Sequence, residues 1–218
     1  MLAANASAMT PEVSEIFEIL RQDTILLHAT WDTFHELFGT ERSAGVVSDV
    51  APLGFAMVRN ALGHEIIMGA SRITDPKTTG NGTTAKENAT IEQLIHVIEK
   101  NGGDPSFVAD LRRAERKIKD QCKSLRSLRN KMLGHRDLPT MLNPADNPLP
   151  PLKAEELKIV IQEIGAFLSQ VSAHFQPDLE IIFKPLDCDA SQIVTALDQF
   201  MEQRKKYVKD LMEQARGW

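Results

Sequence analysis

DPSFVADLRRAERKIKDQCKSLRSLRNKMLGHRD, residues 104–137, decides how the chain is read. Asp104 offers an N-cap carboxylate and Pro105 a first-turn proline, together a helix start. Phe107, Leu111, Ala114, Ile118, Cys122, Leu125 and Met132 then recur at three- and four-residue steps, which puts them on one helical face. The helix is expected to end near Gly134 or Asp137, because a proline such as Pro139 disfavours helical backbone just before it.

The same periodicity recurs on both sides. Thr10-Pro11-Glu12 starts a helix with a hydroxyl cap, a proline and an acid at the positive end of the dipole. Val13, Ile16, Phe17, Leu20, Leu27, Trp31, Phe34 and Phe38 line its apolar side, and Gly39 ends it. A second helical stretch runs from about Ser43 to Ile73, kinked or restarted at Pro52 and closed by Asp75-Pro76. Residues 75–89, DPKTTGNGTTAKENA, carry no large apolar side chain and read as a loop. They are not a phosphate-binding loop, since the Gly-Lys-Ser/Thr ending and a preceding strand are missing. Thr90 and Gln93 form a capping-box pair for a helix to about Lys100, which Asn101-Gly102-Gly103 stops. Residues 138–152, with their five prolines, read as a loop. Two more helices follow at about 153–175 and 190–216, with LEIIFKP (residues 179–185) extended between them.

No strand–helix alternation and no internal repeat appears, so the expected fold is an all-α bundle of five to seven helices. Residues 1–9 read as a flexible tail and 10–218 as one domain, with 176–218 a C-terminal helical extension. Hydrophobic residues make up 42% of the chain and charged residues 25%, an ordinary globular balance. No apolar run approaches the ~18 residues of a membrane span. The N-terminal residues lack a basic segment followed by an apolar one, and the only cysteines are Cys122 and Cys188. A cytoplasmic protein without a disulfide framework is expected. No Cys/His spacing suggests a metal site, and no cofactor is expected. The net charge is −5, yet residues 112–136 hold ten Lys/Arg against only Glu115 and Asp120. Such a run is either a polyanion site or a solvated face paired with acidic neighbours; composition favours the second.

Two stretches share one pattern: RNALGH (Arg59–His64) and RNKMLGH (Arg129–His135). The first lies inside a helix with little flanking charge, and His64 reads as packed or capped. The second ends the most basic segment, and its Arg129 falls on the apolar face in step with Ile118, Cys122 and Leu125. A guanidinium there needs an anionic partner to offset desolvation. Six residues of ideal helix turn about 240°, so Arg129 and His135 would share a face only through a bulge, a helix end or a second chain.

LRNKMLGHRD is similar to the signature of the HEPN superfamily, in which Arg, then Asn, His or Asp, then a few residues, then His form a ribonuclease motif. EIIMGASRITDPKT, followed by a polar loop and ATIEQLI, resembles the abortive-infection AbiU-type branch. Ile73 replaces its usual Leu and Gly134 its usual Ala. The resemblance covers roughly residues 10–175. It implies that Arg129, Asn130 and His135 are catalytic, in a metal-independent endoribonuclease of phage-defence or toxin type. It also implies a homodimer with the site where two protomers meet. On that reading Arg126, Lys131 and Arg136 bind RNA, and an antitoxin or other neutralising protein is a further partner. Asp137 stands where some HEPN toxins carry a Tyr that is nucleotidylated, so that silencing route does not transfer. The Arg72/Asp75 pair within SRITDP reads as an i,i+3 ion pair capping its helix. Two rivals remain: a catalytically silent HEPN module that binds RNA or nucleotide, and a helical scaffold or antitoxin-like partner.

Overall fold

A computed structural model describes residues 9–80, 82, 85–134, 137–151, 153–178, 181, 183 and 189–216. It is an all-α protein. The helices are α1 (Pro11–Phe38), α2 (Glu41–Val50), α3 (Pro52–Thr74), α4 (Ile91–Lys100), α5 (Pro105–Gln121), α6 (Lys123–Leu128), α7 (Leu138–Leu142), α8 (Ala154–Phe175) and α9 (Ala190–Arg216). A π-helical turn, Arg129–Gly134, follows α6 directly. The tail before Met9 and nearly all of LEIIFKP lie outside the described residues.

The local start signals work as chemistry requires. Thr10 Oγ1 accepts the Val13 N–H, Thr90 Oγ1 accepts that of Gln93, and Asp104 Oδ1 accepts those of Ser106 and Phe107. Gly102, at φ 80°, ends α4 in the left-handed region that favours glycine. Of the two alternatives open at Pro52, a kink and a fresh start, the structure has the fresh start. Three features differ from the sequence expectation. The 105–134 helix is broken at Cys122, whose ψ of 0° separates α5 from α6. The expected loop at 138–152 contains α7, capped by Asp137, whose carboxylate accepts the Thr140 N–H and hydroxyl. The 75–89 loop folds back as a short antiparallel ribbon, β1 (Thr78–Thr79) against β2 (Lys86–Glu87).

The chain forms two compact units, Met1–His28 with His64–Pro185, and Ala29–Gly63 with Leu186–Trp218. In the first, α5 packs on α4 and α8. Its fully buried side chains include Leu20, Ile66, Ile73, Leu94, Leu111, Ile118, Leu125 and Phe167, the aliphatic core that the periodicity requires. In the second, α2 packs on α9 around Leu37, Val47 and Ala190. There Arg42 meets Asp198 at 2.5 Å, and the Glu36 carboxylate accepts the Ser191 N–H at the start of α9.

Burial pushes the Cys122 thiol above its usual range, although a Thr74 hydrogen bond and the nearby Arg126 pull the other way. A buried, protonated thiol is a poor nucleophile. Iodoacetamide at pH 8 is therefore expected to leave Cys122 unmodified in the native protein and to alkylate it after unfolding in guanidinium. Peptide mass mapping checks this, and rapid native alkylation at Cys122 would contradict the packing.

Candidate functional site

Helix α3 ends at Thr74, which is 1% exposed. Its carbonyl is one of those an α-helix leaves without an internal partner. The Thr74 hydroxyl donates back to the Ala70 carbonyl at 2.8 Å, and Arg126 Nη2 donates to the Thr74 carbonyl itself. Asp75 follows immediately. Arg129 Nη1 donates to both of its carboxylate oxygens, each at 2.7 Å, and Arg126 Nε lies 4.0 Å from one of them. The Asp75 and Arg129 side chains are only 22% and 21% exposed. Two cations one helical turn apart thus close the negative end of α3.

This arrangement corrects the reading of SRITDP. Asp75 does not pair with Arg72. Arg72 donates instead to Glu65 at 2.7 Å, in a contact roughly half exposed on both sides. Asp75 points across to the second motif, joining the two stretches on which the family resemblance rests. The anionic partner required by Arg129 comes from the chain itself.

Asn130 is exposed, and its Oδ1 accepts the Arg129 Nε–H at 3.2 Å. Arg129 and Asn130 open the π-helical turn; Lys131, half-buried, lies within it, and its carbonyl accepts the Asp137 N–H at 3.1 Å. The sequence pointed to loosening at Gly134, but the wider turn already begins at Arg129. Such turns recur at functional sites because they redirect side chains relative to the α-helix. His135, Arg136 and the side chain of Met132 lie outside the described residues. Arg126 is held at the end of α3. In the upstream copy, Arg59 and His64 are both exposed on α3. His64 is neither packed nor a cap, because its position turns away from the buried Ile66, Ala70 and Ile73 side.

The basic run follows the second of the two readings. Arg112 meets Glu99 and Glu115, Lys117 meets Glu163 at 2.6 Å, and Lys119 bridges Glu92 at 2.5 Å and Glu115 at 2.8 Å. Arg113 pairs with Asp110 on α5, and Lys123 at the start of α6 pairs with Asp120 near the end of α5. Glu115 is 6% exposed, an acid that its two cations make tolerable inside the fold. Most of the positive charge on α5 is therefore matched by α4, α8 and α5 itself. Among the described residues no group of three or more His, Cys, Asp or Glu is placed to hold a metal ion. No helix there is long and apolar enough to cross a membrane.

A double-mutant cycle between Asp75→Asn and Arg129→Lys is expected to give a coupling of about 1–3 kcal/mol in urea unfolding, as for a charged hydrogen bond mostly out of water. The same cycle on Glu65 and Arg72 should give ~0–1 kcal/mol, as exposed pairs do. Equal couplings would mean that the Asp75 contact is an ordinary surface pair.

Comparison with known proteins gives a family for the chain. No curated protein and no solved structure matches the chain. The family model described as HEPN_AbiU2, AbiU2, matches residues 10–211, well past residue 175 and through most of α9. Matched over nearly its whole length, with the SRITDP and RNKMLGH stretches joined through Asp75 and Arg129, the chain belongs to the AbiU2 family of HEPN proteins.

Proposed function

We propose that this protein is a metal-independent endoribonuclease of phage-defence or toxin type, acting in the cytoplasm. The observation that carries the reading is Arg129, fixed by Asp75 with Asn130 beside it, on a π-helical turn that leads directly to His135. In the reaction an RNA 2′-hydroxyl attacks the adjacent phosphorus. His135, with a reference pKa of ~6.5, accepts the hydroxyl proton. Negative charge gathers on the non-bridging oxygens, where a guanidinium stabilises it. Arg129 Nη2, which neither the Asp75 nor the Asn130 bond uses, is the edge that meets them. The 5′-oxygen leaves with a proton from a second His135, giving a 2′,3′-cyclic phosphate and a 5′-hydroxyl. Two chains supply the two histidines, with Lys131 and Arg136 holding flanking phosphates. A neutralising protein would act by blocking this cleft.

A second reading, a module that binds RNA or nucleotide without cutting it, is favoured by one feature. Arg129 Nη1 is already engaged by Asp75, which leaves the guanidinium fewer donors for phosphate.

Purified wild type is expected to cleave RNA in the presence of chelator, leaving 2′,3′-cyclic ends. Arg129→Ala and His135→Ala should each abolish cleavage while the protein stays folded, and Arg59→Ala and His64→Ala should leave turnover near wild type. Mixing the Arg129→Ala and His135→Ala chains should restore partial activity if one site draws on both. Magnesium dependence or 3′-hydroxyl ends would sink the mechanism. An inactive wild type that still binds RNA with a steep salt dependence would establish the second reading.

A further inference from the structure

Helix α9 carries one apolar arc about 140° wide, at ~100° per residue, along its whole length. Its first turns are covered. Ala190 is buried, and Val194 and Leu197 pack with Val47 of α2. The arc then continues uncovered. Phe200, Tyr207, Val208, Leu211 and Met212 are 54%, 65%, 41%, 45% and 60% exposed, and every residue from Glu202 to Arg216 is exposed. A helix of this length in water takes its stability from packing its apolar face. The unit to which it belongs, under ~70 residues, has little other core to draw on. Charge along the arc is uneven. Arg204 lies within it, and Lys205, Lys209 and Arg216 follow one border. The other border is Gln203 and Gln214, while Glu202 and Glu213, behind the cationic border, pair with Lys205 at 2.8 Å and Lys209 at 3.8 Å in fully solvated contacts that cost a partner little to exchange.

We propose that the Met201–Arg216 face of α9 docks an acidic amphipathic helix from another protein, laid end to end with α2. Three features select that occupant. The covering that the chain already provides for the first half of the arc is helical, chiefly α2 with Leu37 and Phe38 of α1 and Phe55 and Leu62 of α3 in the same cluster, and Asp49 near the end of α2 is within electrostatic reach of Lys205. A helix continuing that line, with Asp or Glu on one flank, meets Lys205, Lys209 and Arg216 in turn. A bilayer does not fit, because α2 stands roughly a helix diameter, ~10 Å, above the same arc and holds a flat surface away from its uncovered half. Nor does a second α9: an antiparallel pair would bring the Lys205–Lys209–Arg216 border against its own copy, and a parallel one would set Arg204, near the middle of the arc, against its own copy. Met201, Val208 and Met212, with Arg204, the border cations and Glu213, line one open face of α9. This inference is independent of the ribonuclease reading.

The test uses the full chain and a synthetic fluorescent peptide of about four turns, with leucines at i, i+3, i+4 and i+7 and glutamates on its flanks. The chain is expected to bind it, and Val208→Asp should weaken binding at least about tenfold without changing the helical content or thermal transition of the protein. A matched peptide with lysine in place of glutamate should bind about tenfold more weakly, and Lys205→Glu with Lys209→Glu should reverse that preference. No binding of the acidic peptide, or binding unaffected by Val208→Asp, would overturn the proposal. So would flotation with phosphatidylglycerol vesicles, or sedimentation as a dimer, if Val208→Asp abolishes either.

Discussion

The C-terminal end of α3 is buried, and a buried helix end is costly unless its carbonyls and partial negative charge find partners. Here they find two guanidinium groups. Arg126 takes the Thr74 carbonyl, and Arg129 takes the Asp75 carboxylate one residue later. Each solves the other's problem, since the arginines could not sit beside Cys122 and Leu125 without an anion to meet them. The break at Cys122 and the π-helical turn at Arg129 belong to the same constraint. They set the backbone that carries both cations, with Leu125 and Leu128 buried between them.

That constraint also fixes what the candidate site can do. Arg129 is held by Asp75, so under the proposed function its guanidinium meets a phosphate with little loss of side-chain entropy. The cost is that one of its two terminal nitrogens already serves a carboxylate. Asn130 is exposed yet tied to Arg129 Nε, so the two residues form one rigid polar edge. The basic run upstream contributes less than its composition implies. Glu92, Glu99, Glu115 and Glu163 match its lysines and arginines, so under the proposed function the field that draws in RNA comes chiefly from the short segment after Leu128.

The two compact units differ in how they are stabilised. The unit containing α4, α5 and α8 buries large aliphatic side chains on several helices. The unit containing α2 and α9 buries few, and α9 extends an apolar face into solvent. The family match runs through Leu211 and so includes most of that face.

Sequence by itself determined the long helices and the starts of α1, α4 and α5. Thr10, Thr90 and Asp104 cap within three residues of themselves, and apolar spacing depends only on neighbours one or two turns away. It also offered the candidate motif, because Arg129, Asn130 and His135 are close in the chain. Partners were another matter. Asp75 and Arg129 are 54 residues apart, and the nearer Arg72 was the natural choice until the fold turned Arg72 toward Glu65. Whether Pro52 kinked or restarted a helix, where the long helix broke, and which acids answered the basic run were decided by packing. Glu92 and Glu99 on α4 and Glu163 on α8 answer the basic run from other helices. Local hydrogen bonding and periodicity are written along the chain, whereas the pairing of buried charge depends on which helix ends the core brings together.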